Sequence, residues 1–519
     1  MSLARDITTV GSGTLMSRLL AFARDAGIAA LLGTGPFSEV FFAVLQVVNF
    51  FRRLLADGAL NGAFIPIWLR LRGGEGGTAT ADRFTRRSLL AMLCTTGIVA
   101  LLVIVLADYV VAIIAPGFEE GRRALAAILL LLVAPYIVLA GLVAVIAAAL
   151  NAEHRVSAVT ISTIIFNLVM VAAVAFTINT GIRQFEFTMW LAAAIVVAGL
   201  VQLLITGVTW LATGKRWRRV NVRVPDQTQA FFARAVPGLI AVGIPQLKLI
   251  AAAAVVSSSE AAVSWLYYAN RLYELPLGVA SIAIAAVIVP RIAASLHAGD
   301  TEGFASVQSR AFEIALGLAL PAAAGFALLA TPIAGGLFER GAFGANDTTA
   351  VAAALTAICA GLPGHVLEKV FGAVSFAHGD TNTPMLAALT GLATAFAGGI
   401  LLFPHYGHVG VAAAIAISGW VGATLLGGIL YRRKWLRLDL IAVQRLPRIM
   451  LATVVMGTVV YFGLMLGHTQ FPASAGSALG RLAMLVVVVA LGVAVYLAAL
   501  QILGVAKLKD LVASVRQHA

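Results

Sequence analysis

"LMSRLLAFARDAGIAALLG", residues 15–33, has the length and apolarity of a bilayer-spanning helix, yet Arg18, Arg24 and Asp25 lie near its middle. A charge at that depth costs about 2.5–3.5 kcal/mol on insertion scales unless it is paired or faces water. The composition around the stretch decides that it is a span. The chain has 519 residues, 61% of them hydrophobic and only 11% charged, with a mean hydropathy of +0.97. A soluble domain of that composition would lack the polar surface to cover itself.

Apolar runs of about 20 residues recur along the whole chain. Fourteen are expected to span, near residues 10–33, 36–69, 89–115, 122–150, 156–179, 187–213, 231–256, 260–293, 306–330, 346–377, 383–403, 409–431, 449–467 and 479–504. The fold class is therefore an all-α polytopic membrane protein. The second run is long and carries Gly58 and Gly62 in "LADGALNGAF", so a bend or break is expected there. Cys94 and Cys359 lie in apolar runs and read as small buried hydrophobes. The first apolar run holds two arginines and no small-residue cleavage site follows a short apolar core, so no removable signal peptide is expected.

The net charge of +13 follows topology rather than a nucleic-acid partner. With fourteen spans both termini share one side, and the loops on that side, with the tails, hold 24 of the 36 Lys and Arg residues. The opposite loops hold Arg122, Arg123, Arg183, Arg340 and Arg481. The positive-inside rule then makes both termini cytoplasmic. The basic, Trp-bearing stretch "GKRWRRVNVRV", residues 214–224, suits the anionic inner leaflet.

"NAEHRVSAVTIS" (151–162) and "AHGDTNTPMLAA" (377–388) each close one long apolar run and open the next, and Ala152 precedes Ala377 by 225 residues. Pro66 and Pro290 are related by nearly the same offset. This spacing equals six spans and predicts two six-helix lobes in the same orientation, related by a pseudo-two-fold along the membrane normal. The expected organisation is an N-lobe over 1–214, a basic cytoplasmic linker over 215–230, a C-lobe over 231–434, two extra C-terminal spans within 447–504, and a cytoplasmic tail over 505–519.

Seven cations remain inside the spans: Arg18, Arg24, Arg52, Arg53, Lys248, Arg271 and Lys369. Residues three and four apart share a helix face, so Asp57 can neutralise Arg53 and Glu274 can neutralise Arg271. Arg18, Arg24 and Arg52 have no acid at those positions. Cross-helix pairing with Asp25 or Glu39 is the structural reading of this group. The functional reading is a water-filled cationic cavity built from spans one, two and eight. Guanidinium groups keep their charge and grip phosphate or carboxylate at two points, so such a cavity takes an anion rather than relaying protons. His365, Glu368 and Lys369 in "LPGHVLEKV" form a second polar patch, for which a stabilising network is the simpler reading. No metal-ligand spacing, phosphate-binding glycine loop or nucleophile arrangement is present to support an ATPase or hydrolase, and no cofactor is expected.

"SRLLAFARDA" (17–26), "FFAVLQVVNFFRRLLADGALNGAFIPIW" (41–68), "YYANRLYELPLGVASIAIAAVIVP" (267–290) and "FAHGDTNTP" (376–384) together resemble the lipid II flippase family called MurJ or MviN, within the multidrug/oligosaccharidyl-lipid/polysaccharide exporter superfamily. The resemblance covers essentially the whole chain. It implies a transporter, not an enzyme, that carries the lipid-linked peptidoglycan precursor across the bacterial inner membrane. It implies that Arg18, Arg24, Arg52 and Arg271 bind the substrate pyrophosphate, supported by Arg53, Asp25, Glu39, Asp57 and Glu274, and that the last two spans hold the polyprenyl tail. Membrane lipids and, as further candidates, cell-wall synthesis or division proteins are the implied partners. The chain departs from the family pattern in having Glu39 and Asp57 where Asp and Glu are usual. It also has no acid in "QLKLIAAAAVV" (246–256), where some members use one for sodium. Asp380 and Lys369 are left as candidates for coupling or gating. The alternative reading is another exporter of the superfamily, a polysaccharide-lipid flippase or an ion-coupled multidrug antiporter. The latter predicts cavity acids rather than arginines.

Overall fold

A computed structural model describes residues 3–56, 59–74, 77–213, 231, 243–284, 288–298, 300–437, 439–470 and 478–505. The linker 215–230, the tail beyond 505 and Asp57 lie outside the described residues. Every element among the described residues is an α-helix. In chain order these are α1 Leu3–Leu32, α2 Pro36–Ala56, α3 Ala59–Gly73, α4 Gly77–Val105, α5 Ala107–Ile114, α6 Glu120–Val133, α7 Pro135–Ala152, α8 Val156–Thr180 and α9 Gln184–Leu211. There follow α10 Gly243–Val256, then α11 Ala262–Ala283, α12 Val289–His297, α13 Thr301–Leu328, α14 Ala330–Phe338, α15 Ala345–Cys359, α16 Leu362–Ala377, α17 Asn382–Arg432, α18 Leu440–Gln470 and α19 Ala478–Ile502.

Among the described residues eight helices are long and apolar enough to cross a bilayer, or nine if the bent pair α15 and α16 is one span. The chain is thus an all-helical, multi-pass membrane protein. Several of the runs expected to span carry charge, as their sequences show. In the run 36–69 the described residues give α2 and α3, on either side of residues 57–58. α1 holds Arg18, Arg24 and Asp25, and α2 holds Glu39, Arg52 and Arg53. α17 is interrupted at Gly407, whose φ of 55° and ψ of −142° are not helical. That interruption falls between the runs 383–403 and 409–431.

Two compact units emerge from the packing. The first comprises residues 1–264 with 340–343, and the second 265–339 with 344–519. In the first unit α8 packs between α1 and α9, while α7 touches α2, α3, α4 and α9. In the second, α13 packs on α15, α16 and α18, α16 on α17, and α18 on α19. Large apolar side chains left exposed on these helices, such as Leu401, Val454 and Ile502, form the face that meets lipid. Cys94 is part of that exposed face rather than the core, because it sits on the outer side of α4; Cys359 is buried as expected. Lys248 is buried on α10.

The 225-residue offset reappears in backbone geometry. After α7, the N–H of Glu153 and of Arg155 reach the Leu150 carbonyl, and His154 N–H reaches Asn151. After α16, His378 and Asp380 reach Ser375 in the same way, and Gly379 reaches Phe376. His154 and Gly379 both adopt left-handed φ, 58° and 75°. Each helix therefore ends in the same motif, in which a left-handed residue lets two trailing N–H groups cap the last carbonyls. The proline pair does not repeat in role. Pro66 lies inside α3, whereas Pro290 opens α12.

Candidate functional site

In the first unit the Arg24–Asp25 pair of α1 meets one residue of α8. Arg24 is 5% exposed and Asp25 is fully buried. The Arg24 Nε and Nη2 atoms donate to Asp25 Oδ1 at 2.9 and 2.7 Å, and Nη1 donates to Asn167 Oδ1 at 3.4 Å. Asn167 in turn donates through Nδ2 to the Ser17 hydroxyl at 3.0 Å and its carbonyl at 3.2 Å. Asn167 thus uses its acceptor on a guanidinium and its donor on the preceding turns of the same helix. The close approach that allows this depends on Gly27, where a Cβ would stand 2.4 Å from Val174 Cγ1.

Arg52 on α2 donates to Asn49 Oδ1 at 3.3 Å and lies 5.9 Å from the centre of the Phe166 ring. Phe166 and Asn167 are consecutive, so Arg24 and Arg52 meet the same turn of α8. Arg18, beside Ser17, is half-buried and makes no hydrogen bond or ion pair among the described residues. Arg53 is half-buried on α2. Its expected partner, Asp57, is outside the described residues.

Neighbour arithmetic at three and four residues left Arg24 without a local acid. The side chain is long enough to fold back on the adjacent carboxylate, which that arithmetic ignores. Glu39 pairs with neither Arg18 nor Arg24. It is 1% exposed, accepts from Arg122 Nη1 at 2.9 Å and from the Val263 N–H at 3.3 Å, and so ties α2 to α6 and α11. Ser38 and Ser264 hydroxyls lie 2.9 Å apart beside it. The Ala342 N–H donates to the Ala30 carbonyl at 2.8 Å, bringing the segment 340–343 onto the end of α1.

In the second unit Arg271 and Glu274 pair at 3.4 Å on α11, as their spacing predicts. Between them in sequence, Tyr273 Oη lies 2.8 Å from His365 Nδ1 of α16, which also meets the Gly361 carbonyl at 3.1 Å. Lys369 is exposed on α16. Asp380 accepts from the N–H groups of Asn382 and Thr383 at 3.0 and 3.1 Å, from the Thr383 hydroxyl, and from Arg433 Nη1. Partial burial works to raise the Asp380 carboxyl, but the Thr383 bonds and Arg433 outweigh it and hold it below the usual carboxylate range. Asn167, Phe166 and Arg122 escaped the sequence reading. The one available signal for Asn167 was its being the lone amide in the apolar run "IIFNLVMVAA". Among the described residues no group of three His, Cys, Asp or Glu side chains is placed to hold a metal ion.

Comparison with known proteins agrees over nearly the full length. The protein named "Probable lipid II flippase MurJ" in Rhizobium tropici is 34% identical over 506 residues, covering 96% of this chain and 93% of that one. Its namesake in Rhizobium meliloti (strain 1021) is 34% identical over 530 residues, covering 100% and 97%. A solved structure described as "Lipid II flippase MurJ, inward closed conformation" superposes with a TM-score of 0.80 at 22% identity, covering 97% of this chain and 99% of that one. An inward-facing multidrug resistance MATE family transporter of the MOP superfamily shares the fold more distantly, with a TM-score of 0.64 at 16% identity. The sequence profile described as "Lipid II flippase MurJ" matches residues 28–479, and the chain belongs to the MurJ family of lipid II flippases.

Proposed function

We propose that this chain moves lipid II from the cytoplasmic to the periplasmic leaflet of a bacterial inner membrane by alternating access, with Arg18, Arg24, Arg52 and Arg271 binding the substrate pyrophosphate. The observation that carries this reading is the meeting of Arg24 and Arg52 on the consecutive residues Asn167 and Phe166. Two guanidinium groups at one helix turn suit a ligand with two adjacent phosphates, which would compete for donors now held by Asp25, Asn167 and Asn49. Asp25 offsets part of the charge of Arg24 and fixes its orientation. Arg271 is oriented by Glu274 in the same manner. The long apolar helices α18 and α19 suit the polyprenyl tail, whose transfer out of lipid would otherwise be costly.

With both termini cytoplasmic, a potential negative inside drives an anionic headgroup outward by about 2.3 kcal/mol per charge per 100 mV when the charge crosses the whole field. Sodium is not required in this scheme. Collapsing the potential should slow export while removing sodium should not, and the reverse pattern would refute this part of the mechanism.

The direct test is rescue of bacteria depleted of their own flippase, with outer-leaflet lipid II as the readout. Wild type should restore export, and Arg18→Ala, Arg24→Ala, Arg52→Ala and Arg271→Ala should not while still accumulating in the membrane. Normal export by all four variants would make these charges structural.

A further inference from the structure

The described residues of the connector between α17 and α18, 433–437 and 439, are held more firmly than a loop that merely carries topological charge requires. The helix ends with Lys434 in the left-handed region, at φ 59°. Lys434 N–H meets the Tyr431 carbonyl at 3.0 Å and Trp435 N–H meets Leu430 at 2.9 Å. Glycine normally occupies that position. Both ends of the Gln308 side-chain amide, fully buried on α13, then clamp the connector. Its Nε2 donates to the Trp435 carbonyl at 2.7 Å and its Oε1 accepts from Arg437 N–H at 2.8 Å. The Ser309 hydroxyl accepts from Asp439 N–H at 2.8 Å.

This clamp sorts the charges. Arg433 is drawn onto Asp380 and over the Trp435 ring, 4.9 Å from its centre. The Asp439 carboxylate accepts from Ala442 N–H at the start of α18. Arg432, Lys434 and Arg437 are left lining a cavity of about 440 Å³ with Tyr431 and Leu436. No carboxylate lines it, and these three cations make no ion pair among the described residues. Beside it, Leu440 is 80% exposed and Ile441 and Val443 are exposed as well. Three cations around an open surface hollow on a clamped backbone select an anion, and the exposed apolar residues that follow select one that carries acyl chains. The positive-inside rule puts this loop on the cytoplasmic side, where anionic phospholipid headgroups gather at basic pockets.

We propose that the surface hollow formed by the end of α17 and the connector after it binds the phosphate headgroup of an anionic phospholipid of the inner leaflet, with its acyl chains along the first turns of α18. The site is independent of the arginines assigned to the lipid II pyrophosphate. The test uses the full chain in neutral detergent, titrated with phosphatidylglycerol or phosphatidylcholine, with bound lipid counted by native mass spectrometry. Wild type should retain phosphatidylglycerol in preference to phosphatidylcholine. Lys434→Gly and Arg437→Gln should each weaken that retention about three- to tenfold, while Arg291→Ala, an exposed basic residue elsewhere, should leave it unchanged. Lys434→Gly suits the left-handed backbone better than lysine does, so its loss of lipid cannot be put down to misfolding. Equal retention of the two lipids, or retention by both variants equal to wild type, overturns the proposal. So does displacement of phosphatidylglycerol from this site by equimolar lipid II, which would make the cavity part of the substrate path.

Discussion

The Glu39 carboxylate and the Arg122 guanidinium meet at 2.9 Å with Glu39 almost wholly withdrawn from solvent. Removing one partner of such a pair strands the other, at a cost of about 3–5 kcal/mol when burial is complete. Glu39→Ala should therefore lower thermal stability markedly. Glu39→Leu combined with Arg122→Met should cost less than the sum of the single changes, because neither charge is then left alone. A thermal-unfolding double-mutant cycle in detergent measures the coupling, and strict additivity would show that the pair does not hold α2 to α6.

Gly33 and Gly341 fasten the segment 340–343 to the end of α1. Both have left-handed φ, 60° and 61°. A Cβ on Gly341 would stand 2.2 Å from the Ala30 carbonyl oxygen, and one on Gly33 2.5 Å from that of Ala342. Gly33→Ala and Gly341→Ala should each destabilise by more than about 1 kcal/mol, from backbone strain and the clash together. Gly344→Ala is the control, since its φ is −99° and its nearest neighbour is 4.0 Å away. Hydrogen exchange at the Ala342 amide should accelerate in the first two variants and not in the third.

Asn167 predicts a specific loss. Asn167→Leu keeps the volume and apolarity that α8 tolerates but removes the bonds to Ser17 and Arg24. A hydrogen bond to a charged group contributes about 1.5–3 kcal/mol. Export in the rescue assay should fall at least tenfold with normal membrane levels. Asn167→Asp should also fail, because a second carboxylate captures the guanidinium. Full export by both would detach Asn167 from the transport site.

Asp380 sets a pH dependence with a definite sign. Its carboxyl is held below the usual value because the folded state supplies the Thr383 bonds and Arg433 to the charged form. The resulting stability is present above the unfolded-state value, near 4, and is lost as pH falls through the lower folded-state value. The unfolding temperature of wild type should drop more steeply than that of Asp380→Asn as pH is lowered below about 4. Parallel curves would contradict the assignment.

The helical, membrane-spanning character was legible because it rests on composition and run length, which no tertiary contact overrides. The Arg271–Glu274 pair was legible for a similar reason, since a three-residue spacing fixes a shared face. The repeat was only half visible. His154 and Gly379 share a left-handed backbone but no side-chain chemistry, so their equivalence shows in φ and hydrogen bonds rather than in letters. Asp25 was legible as a candidate partner for the arginines, but not its pairing with Arg24 within α1, and the partner of Glu39 was not legible. One depended on a side chain folding back on its neighbour, and the other on Arg122, 83 residues away, which reads as an ordinary loop cation. Cys94 misled because an apolar run looks the same whether it faces the core or lipid.

The adjacency of Arg24 and Asp25 bears on how the chain is made. Their contact needs nothing beyond α1 itself, so the first segment can leave the translocation channel with these two charges already matched. Asn167 joins them only after 143 further residues have been synthesised. During that interval α1 waits in lipid as a nearly neutral helix apart from Arg18, whose long stem can extend toward the interface. The arrangement lets a helix that carries arginines enter the bilayer with one of them already matched, before α8 has been made.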